Sequence, residues 1–339
     1  MTPEQPSGAL RFGMLGCARI TPAALVYPAE SMNEVVLACV GARDPVRARA
    51  FAAEHRIERV AEDYRAVVED PEVDAVYIPL PITLHRPWAL AALAAGKHVL
   101  CEKALTCNAA EARQLAEAAT RADRVLMEAF HYRYHPLFER VRTLLGQGAI
   151  GTLRRIEGRF CVPHIPEGDI RMDFATGGGA LMDLGCYPVH WLRHATGREP
   201  VVRAARARTG PEQVDMVLDG ALVFPAREAG EATIEGAIHC SMDPGDELEA
   251  RLTLEGDGGM LTVINPLAPQ AGHELRLDNA QGELREQIDR TPSYRYQLEA
   301  FVAAVRGAPT NLTDGEDAVR NMTLIDALYE AAGLRLRGT

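Results

Sequence analysis

Short apolar runs alternate with longer, Ala-rich amphipathic stretches through the first 130 residues. The apolar runs occupy 11–15, 35–40, 74–78, 98–101 and 125–127, and the helical stretches occupy 45–55, 87–95 and 108–122. Strands that alternate with helices predict a parallel sheet with helices on both faces. We therefore expect an α/β fold that begins with a doubly wound, five-stranded sheet, which binds its ligand beyond the carboxyl ends of the strands.

The second half of the chain carries six further strand patterns bounded by Gly, Pro or Asp. They occupy 153–162, 216–224, 232–240, 247–254, 260–264 and 274–277. This run predicts one large sheet, and both faces of a sheet need cover. We expect the helical stretch 177–195 to cover one face, with a partner subunit as a candidate for the other. The stretches 297–306 and 316–332 are predicted as closing helices.

The segment 177–190 is the most informative one for chemistry. Three glycines, Gly177 to Gly179, free the backbone to turn sharply. Asp183, Tyr187 and His190 then follow at i, i+4 and i+7, so a helix places them on one face. A core helix with satisfied polar residues and a proton-handling site are equally consistent with this spacing. Pro188 is expected to kink the helix or to start a new turn, which makes the facing of His190 less secure.

Charge and cysteine usage exclude several classes of protein. The net charge of −11 argues against a nucleic-acid partner, which requires a basic face. No apolar run approaches the roughly 20 residues of a membrane helix. The seven cysteines (17, 39, 101, 107, 161, 186 and 240) show no Cys-x-x-Cys spacing. We therefore expect a cytoplasmic protein with reduced thiols and no metal site.

The turn after the first predicted strand resembles a degenerate dinucleotide loop. Gly16 permits the tight turn, and it is followed by Cys17, Ala18, Arg19, Ile20 and Thr21. Ala18 stands where the second glycine of such loops lets a pyrophosphate approach, and Thr21 stands where the third allows close helix packing. A plain tight turn is the alternative. The position after the first strand of an α/β pattern favours a cofactor loop.

The end of the second predicted strand bears on the choice of cofactor. An NAD site usually places an acid there for the ribose 2′-hydroxyl, whereas this chain has Ala42 followed by Arg43. A small residue and a guanidinium suit the 2′-phosphate of NADP. We favour NADP, with NAD still open. The alternative is that Arg43 is a surface residue paired with Asp44.

Two further strand ends carry polar residues at the same predicted edge. Leu80 and Pro81 lead to His85 after the third strand, and Glu102-Lys103 follows the fourth. A lysine that leaves an apolar strand is placed for partial desolvation, which lowers its pKa. A solvated Glu-Lys surface pair is the alternative, and the position at a strand's carboxyl end favours the functional interpretation.

These motifs occur in an order that resembles the glucose-fructose oxidoreductase / inositol dehydrogenase / MocA family of NAD(P)-dependent oxidoreductases. The resemblance rests on the Gly16 loop, Leu80-Pro81 with His85, Glu102-Lys103, and the Gly-Gly-Gly-x-Leu-x-Asp-x-Gly-x-Tyr pattern at 177–187, and it extends to 130–136 and 293–298. It implies an N-terminal Rossmann domain, placed at 1–130. It also implies a C-terminal α/β domain with a large, open, mainly antiparallel sheet, placed at 131–339, that often forms dimers. A homodimer or homotetramer is expected through that sheet, with the C-terminal helices packing back on the chain. Residues 1–9 are expected to be a disordered tail rather than a signal peptide.

The resemblance also assigns roles to individual residues. Lys103 takes the place of the family's catalytic lysine, Asp183 that of its aspartate, and Tyr187 that of its His or Tyr. Tyrosine there is similar to the dihydrodiol and xylose dehydrogenase branch. Two departures stand out: Ala104 replaces the family proline, and Ile82 stands where Asn is common.

A mechanism follows as an expectation. Tyr187 accepts a proton from the hydroxyl of a sugar, inositol or diol as hydride leaves the carbon for nicotinamide, and Lys103 stabilises the phenolate and the forming carbonyl. Asp183 orients the substrate or Lys103. Arg133 and His190 are candidate substrate contacts, each equally well explained as structural. The alternatives are a non-catalytic NADP-binding sensor and an NAD-dependent glycoside hydrolase.

Overall fold

The structure, a computed structural model, describes residues 8–163, 165–166, 168–210, 213–228 and 231–339. The chain divides into two compact units, and neither is a continuous segment. The first comprises Met1–Thr106, Ala110–His131 and Tyr294–Val319, and the second comprises Cys107–Ala109, Tyr132–Ser293 and Arg320–Thr339. The expected disordered tail at 1–9 lies, up to residue 7, outside the described residues.

A six-stranded parallel sheet forms the centre of the first unit. Its strands are β1 (Leu10–Leu15), β2 (Val35–Gly41), β3 (Arg59–Val60), β4 (Ala75–Ile78), β5 (His98–Cys101) and β6 (Leu126–Glu128), in the order β3-β2-β1-β4-β5-β6. The chain order reverses between β1 and β4, which makes this the switch point where such sheets bind ligands. The predicted doubly wound parallel sheet is confirmed.

Helices flank these strands because the strands are apolar on both faces. After a π-helical turn at Pro22–Val26 come α1 (Tyr27–Ala29), α2 (Pro45–His55), α3 (Tyr64–Glu69), α4 (His85–Ala94), α5 (Ala109–Ala122) and, late in the chain, α8 (Ser293–Val305). Phe12 of β1 and Phe301 of α8 are both fully buried, with ring centroids 5.5 Å apart. Strands that are buried on both faces have continuous hydrophobic sequences, and for this reason the apolar runs predicted most of them.

The second unit contains an eight-stranded sheet. Its strands are β7 (Leu153–Cys161), β8 (Val201–Thr209), β9 (Asp215–Phe224), β10 (Ile234–Ser241), β11 (Glu249–Gly256), β12 (Gly259–Ile264), β13 (Glu274–Asn279) and β14 (Gly282–Glu286), in the order β14-β13-β12-β11-β7-β10-β9-β8. Neighbouring strands are antiparallel except for β7 and β10. This confirms the large, mainly antiparallel second sheet.

One face of the second sheet is covered by helix α7 (Cys186–Thr196). Close packing requires Gly158 of β7, because a Cβ there would lie 3.0 Å from side-chain atoms of both Pro188 and Leu192. Pro188 falls in the first turn of α7, directly after a π-helical turn at Leu181–Gly185. A proline is tolerated in a first turn, so the wide turn precedes it and α7 continues.

The other helices are α6 (Pro136–Gly146) and α9 (Gly315–Ala331). Strands β3, β8 and β14 were missed by the sequence patterns. Each is the outermost strand of its sheet, and most of its residues are exposed, so none shows the alternation of buried and exposed residues that marks a strand. The parallel sheet therefore has six strands instead of the five predicted.

Candidate active site

The carboxyl ends of β1, β2 and β4 meet around Gly16 in the first unit. Gly16 has φ +93°, and its amide donates to the carbonyl of Gly41 at 2.7 Å. A Cβ at Gly16 would lie 3.2 Å from a methyl group of Leu80. The predicted glycine therefore has a physical reason: the backbone needs the left-handed region and has little room for a side chain. A pyrophosphate needs this close access to backbone.

The loop after Gly16 is buried at its start, at Cys17, and exposed at its tip. Cys17 is buried, and its carbonyl accepts from the guanidinium of Arg47 at 2.5 Å. Burial raises the pKa of the Cys17 thiol, with Arg47 opposing the shift. Ala18 is half-buried, while Arg19 and Ile20 are exposed. The tip of the loop is thus accessible to a ligand, and the raised pKa keeps the Cys17 thiol protonated near neutral pH.

Ala42 and Arg43 follow β2 as predicted, and their surroundings decide between the two interpretations of Arg43. Ala42 is buried, whereas Arg43 is exposed and makes no ion pair with any residue in the described ranges. Asp44 instead caps α2, because its carboxylate accepts from the amides of Val46 at 2.8 Å and Arg47 at 3.3 Å. The surface pair of Arg43 with Asp44 is therefore not formed. The guanidinium of Arg43 is exposed to solvent.

Glu102 and Lys103 follow β5. Glu102 is 9% exposed and accepts a 2.7 Å hydrogen bond from the hydroxyl of the fully buried Tyr77. Burial and the Glu102 charge raise the pKa of both Tyr77 and Tyr294 well above the usual range, so both hydroxyls stay protonated. Lys103, the next residue, is half-buried. The alternative interpretation of a solvated Glu-Lys surface pair is therefore not what the structure contains.

His85 contacts both the segment that follows β4 and the segment that follows β5. It is 1% exposed, with Nδ1 3.0 Å from the carbonyl oxygen of Ala104 and Nε2 2.7 Å from that of Leu80. Burial lowers the pKa of His85, against the effect of these carbonyls. Leu80 and Pro81 are half-buried, and the peptide bond between Lys103 and Ala104 is cis. This geometry favours positioning of Leu80 and Lys103 over the direct cofactor contact expected of His85.

In the second unit, each of the three glycines before the site helix has a distinct role. Gly177 has φ +85° and closes a short turn at Phe174–Thr176. Gly178 has no room for a Cβ, which would lie 2.4 Å from the carbonyl oxygen of Arg171. Gly179 has φ +136°, and a Cβ there would lie 2.1 Å from the carboxylate of Asp215. The glycines bring the chain tightly against buried groups before the helix begins.

Asp183 forms an ion pair that sequence analysis missed. Arg171 donates from Nε to Asp183 at 2.6 Å and from Nη1 to Asp169 at 3.0 Å. Burial lowers the pKa of Arg171, but the carboxylates of Asp183 and Asp169 outweigh it and raise the value above its usual range. Arg171 lies in the short 3-10 turn Ile170–Met172, 12 residues before Asp183, and no strand or helix period indicates this pairing.

Tyr187 is fixed by aromatic neighbours on the same unit. It is 4% exposed, and its ring centroid lies 6.2 Å from Tyr132, 5.7 Å from Phe160 and 6.3 Å from Trp191. Edge-to-face and tilted contacts of this kind restrict a ring to one orientation. Tyr187 lies in the first turn of α7, directly after the π-helical turn that contains Asp183.

His190 and Arg133 both lie inside the second unit, and both contact His194. The hydroxyl of Tyr132 is hydrogen-bonded to Nδ1 of His190, and His190 stacks on His194 at 3.9 Å. Arg133 points its Nε at Nδ1 of His194, 3.0 Å away. Both predicted substrate contacts are buried, at 0% exposure for His190 and 6% for Arg133. The geometry favours the structural interpretation of both.

The sequence matches two family models in succession. One describes an oxidoreductase family with an NAD-binding Rossmann fold and matches residues 10–130, and the other is the GFO/IDH/MocA C-terminal domain, matching residues 138–262. The chain belongs to the GFO/IDH/MocA oxidoreductase family. The resemblance drawn from the sequence motifs is confirmed, and with it the assignment as a nicotinamide-dependent oxidoreductase.

Several members of the family resemble this chain over nearly its whole length. A D-xylose 1-dehydrogenase (NADP(+)) from Haloferax volcanii is 36% identical over 95% of this chain and 97% of its own. A dTDP-3,4-didehydro-2,6-dideoxy-alpha-D-glucose 3-reductase from Streptomyces antibioticus is 34% identical over 97% and 99%. The crystal structure of KijD10, a 3-ketoreductase from Actinomadura kijaniata in complex with NADP and TDP-benzene, matches with a TM-score of 0.87, 28% identity, and coverage of 96% and 98%.

In the part of the chain that the structure describes, every helix falls short of the length and apolarity that a bilayer span requires.

Proposed function

We propose that this protein is an NADP-dependent oxidoreductase that acts on a hydroxyl-bearing or keto carbon of a sugar-like or diol substrate. One observation carries the cofactor assignment: Arg43 stands exposed and without an ion pair among the described residues, directly after the buried Ala42 at the end of β2. A guanidinium in that place suits a phosphate through charge-assisted, bidentate hydrogen bonds.

The substrate class rests on the relatives. A xylose dehydrogenase and a dTDP-sugar 3-reductase, which differ in the position they act on, both handle an alcohol or ketone carbon of a sugar. Family members that act on different carbons of a sugar share one type of chemistry, so we assign this chain the chemistry and not a particular sugar.

The residues at the edge of the parallel sheet fit a dinucleotide. NADP, when bound, supplies the hydride acceptor or donor. We assign its contacts to the Gly16 turn and to the strand ends after β2, β4 and β5. The set is Gly16, Cys17, Ala18, Arg19, Ile20, Ala42, Arg43, Leu80, Pro81, Glu102 and Lys103, with His85 as a positioning residue. The Gly16 turn supports this assignment because no Cβ covers the backbone there.

Tyr187 is proposed as the proton carrier for the substrate hydroxyl. A free tyrosine titrates near ~10 and a lysine near ~10.4, so each needs its surroundings to work near neutral pH. We assign Lys103 to stabilise the phenolate and the oxygen of the forming carbonyl. Asp183 is assigned to orientation, because its carboxylate is already engaged by Arg171.

We further propose that two copies associate through the open face of the second sheet. The register places Ala204, Ala221 and Ala237 in one row on that face, and the row continues as Glu157, Thr253 and Thr262. Helix α7 covers the opposite face, on which Gly158 lies. A sheet with one helix-covered face has the other face available for a copy of itself, and on this face the row of small residues is flanked by ion-paired side chains such as Arg159 and Glu249.

We also propose a cytoplasmic location. Each of the seven cysteines, all within the described residues, is a buried free thiol. Free thiols are typical of a reducing compartment.

The test is a substrate screen with purified protein. Aldoses, inositols, vicinal diols and ketosugars are offered with NADP or NAD, and the absorbance of reduced nicotinamide is followed in both directions. We expect net cofactor turnover with at least one sugar and a clear preference for NADP. Turnover with NAD alone would contradict the role of Arg43. Sugar release without net reduction of cofactor would instead indicate a glycoside hydrolase.

A further inference from the structure

Under the three glycines of the site segment lies a buried ion pair. Asp215 and Arg337 are both fully buried, and Nη2 of Arg337 lies 2.5 Å from the Asp215 carboxylate. The hydroxyl of Tyr329 donates to the same carboxylate oxygen at 3.0 Å. Burial raises the pKa of Asp215 to about 6, against the opposing effect of Arg337, so the carboxylate is charged at neutral pH.

This pair makes direct contacts with the backbone that leads into the site helix. The second carboxylate oxygen of Asp215 accepts from the amide of Leu181 at 2.7 Å. Arg337 donates from Nε to the carbonyl of Gly178 at 2.7 Å. Together they hold the backbone on both sides of Gly179, where the absence of a Cβ leaves room for them.

The guanidinium of Arg337 is itself held on all sides. It lies 4.5 Å from the ring centres of both Phe174 and Tyr329, and Nη1 donates to the carbonyl of Arg335 at 3.1 Å. No other side chain has a planar group that can donate hydrogen bonds to three separate acceptors in this way. Lysine supplies the charge at one point only.

We infer that Asp215 and Arg337 are positioning residues, which fix the Gly177–Gly179 turn and the first turn of the segment that carries Asp183 and Tyr187. This inference rests on the proposed function, because it assigns the pair to the geometry of residues that we place in catalysis. Neither residue touches the reacting atoms in this assignment. They affect catalysis only through the position of the Tyr187 side chain.

A buried charge pair also stabilises a fold, so the test has to separate stability from position. Removing one partner leaves the other charge buried and uncompensated, which destabilises the fold strongly. Replacing both by apolar side chains of similar size avoids that cost. We therefore compare the double variant Asp215→Leu/Arg337→Met with Arg337→Lys, which retains the charge. Arg335→Met serves as the matched control, because exposed Arg335 stacks on the same Phe174 ring at 4.9 Å.

Amide hydrogen exchange over 177–187 is the first readout, because it does not depend on activity. We expect faster exchange in the double variant and an intermediate rate in Arg337→Lys, with Arg335→Met like the wild type. Unchanged exchange over 177–187 in a folded double variant would overturn the inference. If the double variant does not fold, Arg337→Lys alone decides, and wild-type exchange in that variant would overturn it.

Steady-state kinetics with NADP and the best sugar from the substrate screen give the second readout. A displacement of about 1 Å at a reacting group costs on the order of 100-fold, so we expect kcat to fall roughly 10- to 100-fold while KM for NADP stays within about twofold. Exchange that rises without a fall in kcat would overturn the positioning role. If the wild type turns over no substrate, the proposed function fails, and hydrogen exchange still decides whether the pair holds the turn.

Discussion

Three carboxylates among or near the site residues accept hydrogen bonds from other side chains of the same chain. Glu102 accepts from Tyr77, Asp183 pairs with Arg171, and Asp215 is buried with Arg337. A carboxylate whose oxygens are engaged by protein donors is poorly placed to take a proton from a substrate, which disfavours it as a general base. At the residue scale this leaves Tyr187 as the best candidate to accept the substrate proton, and the acids as groups that orient.

Replacing Arg43 by alanine tests the cofactor assignment at the level of a single side chain. We expect Arg43→Ala to raise KM for NADP roughly 10- to 100-fold, since a charge-assisted contact contributes about 1.5–3 kcal/mol. KM for NAD, which lacks the 2′-phosphate, stays within about twofold. Initial rates with both cofactors are the measurement. Arg49→Ala, at an exposed position on α2, is the control, and an equal effect of the two variants on NADP would exclude a specific role for Arg43.

At the scale of elements, several helices and loops depend on histidines that accept hydrogen bonds. Nδ1 of His135 caps α6 by accepting from the amide of Leu137 at 3.1 Å. Nδ1 of His98 accepts from the amide of Val125 at 3.0 Å, and Nε2 of His273 accepts from the amide of Ile288 at 2.8 Å. A ring nitrogen that accepts cannot carry a proton, so the contacts made by His135 and His98 are sensitive to acid.

We expect acid to weaken the fold through His135. Burial, followed by the neighbouring His273, lowers the pKa of His135 from 6.5 to about 4. Between these values the unfolded chain binds more protons, so the contribution of His135 to the free energy of unfolding is fully present above pH 6.5 and is lost as the pH falls toward 4, by about 3 kcal/mol. His135→Asn keeps an N-cap acceptor that does not titrate. Urea unfolding at several pH values should show a shallower pH dependence for this variant, and identical slopes would contradict the assignment.

A second prediction concerns the turn that introduces the site helix. Gly179→Ala is expected to cost more than about 2 kcal/mol in unfolding free energy, because φ +136° is strained for alanine and the new Cβ would clash with Asp215. Gly148→Ala is the matched control: φ is +71° there, and no atom lies within 4 Å of the new Cβ. We expect about 1 kcal/mol at that position. Equal losses in urea unfolding would show that the space beside Asp215 is unimportant.

Sequence patterns predicted those features that depend on a single residue or on the period of a strand or helix. Buried strands, the Gly16 turn and the spacing of Asp183 and Tyr187 follow from local rules, and the structure has them. The ion pair of Asp183 with Arg171 and the contact of Gly179 with Asp215 join residues that no strand or helix period relates, so no local pattern predicts them. For the same reason the sequence does not predict that His85, assigned to the cofactor from its motif, lies between the carbonyl oxygens of Ala104 and Leu80.

The whole-molecule question is how two copies meet. Met260 and Ile264 are exposed on the open face of the second sheet, at 38% and 44%. Leu284 is 40% exposed but pairs with the buried Leu277, which places it on the opposite face. These residues provide a pair of substitutions that differ in the face they affect.

We expect Met260→Asp to weaken association, because it buries a charge without a partner in the proposed interface. Light scattering coupled to size exclusion should give a dimer mass for the wild type and a monomer mass for Met260→Asp at the same micromolar concentration. Leu284→Asp should behave like the wild type. A monomeric wild type, or equal effects of the two variants, would contradict the proposed interface.

The most direct test of the proposed function is net formation of NADPH from NADP and a panel of sugars by the wild type and by Tyr187→Phe. The substitution removes only a hydroxyl from an aromatic cluster, so the fold and the binding of NADP should persist. We predict turnover by the wild type with at least one sugar and a loss of roughly 100- to 10,000-fold in kcat for Tyr187→Phe, the range for a general acid or base. Wild-type turnover by Tyr187→Phe would contradict the role given to Tyr187.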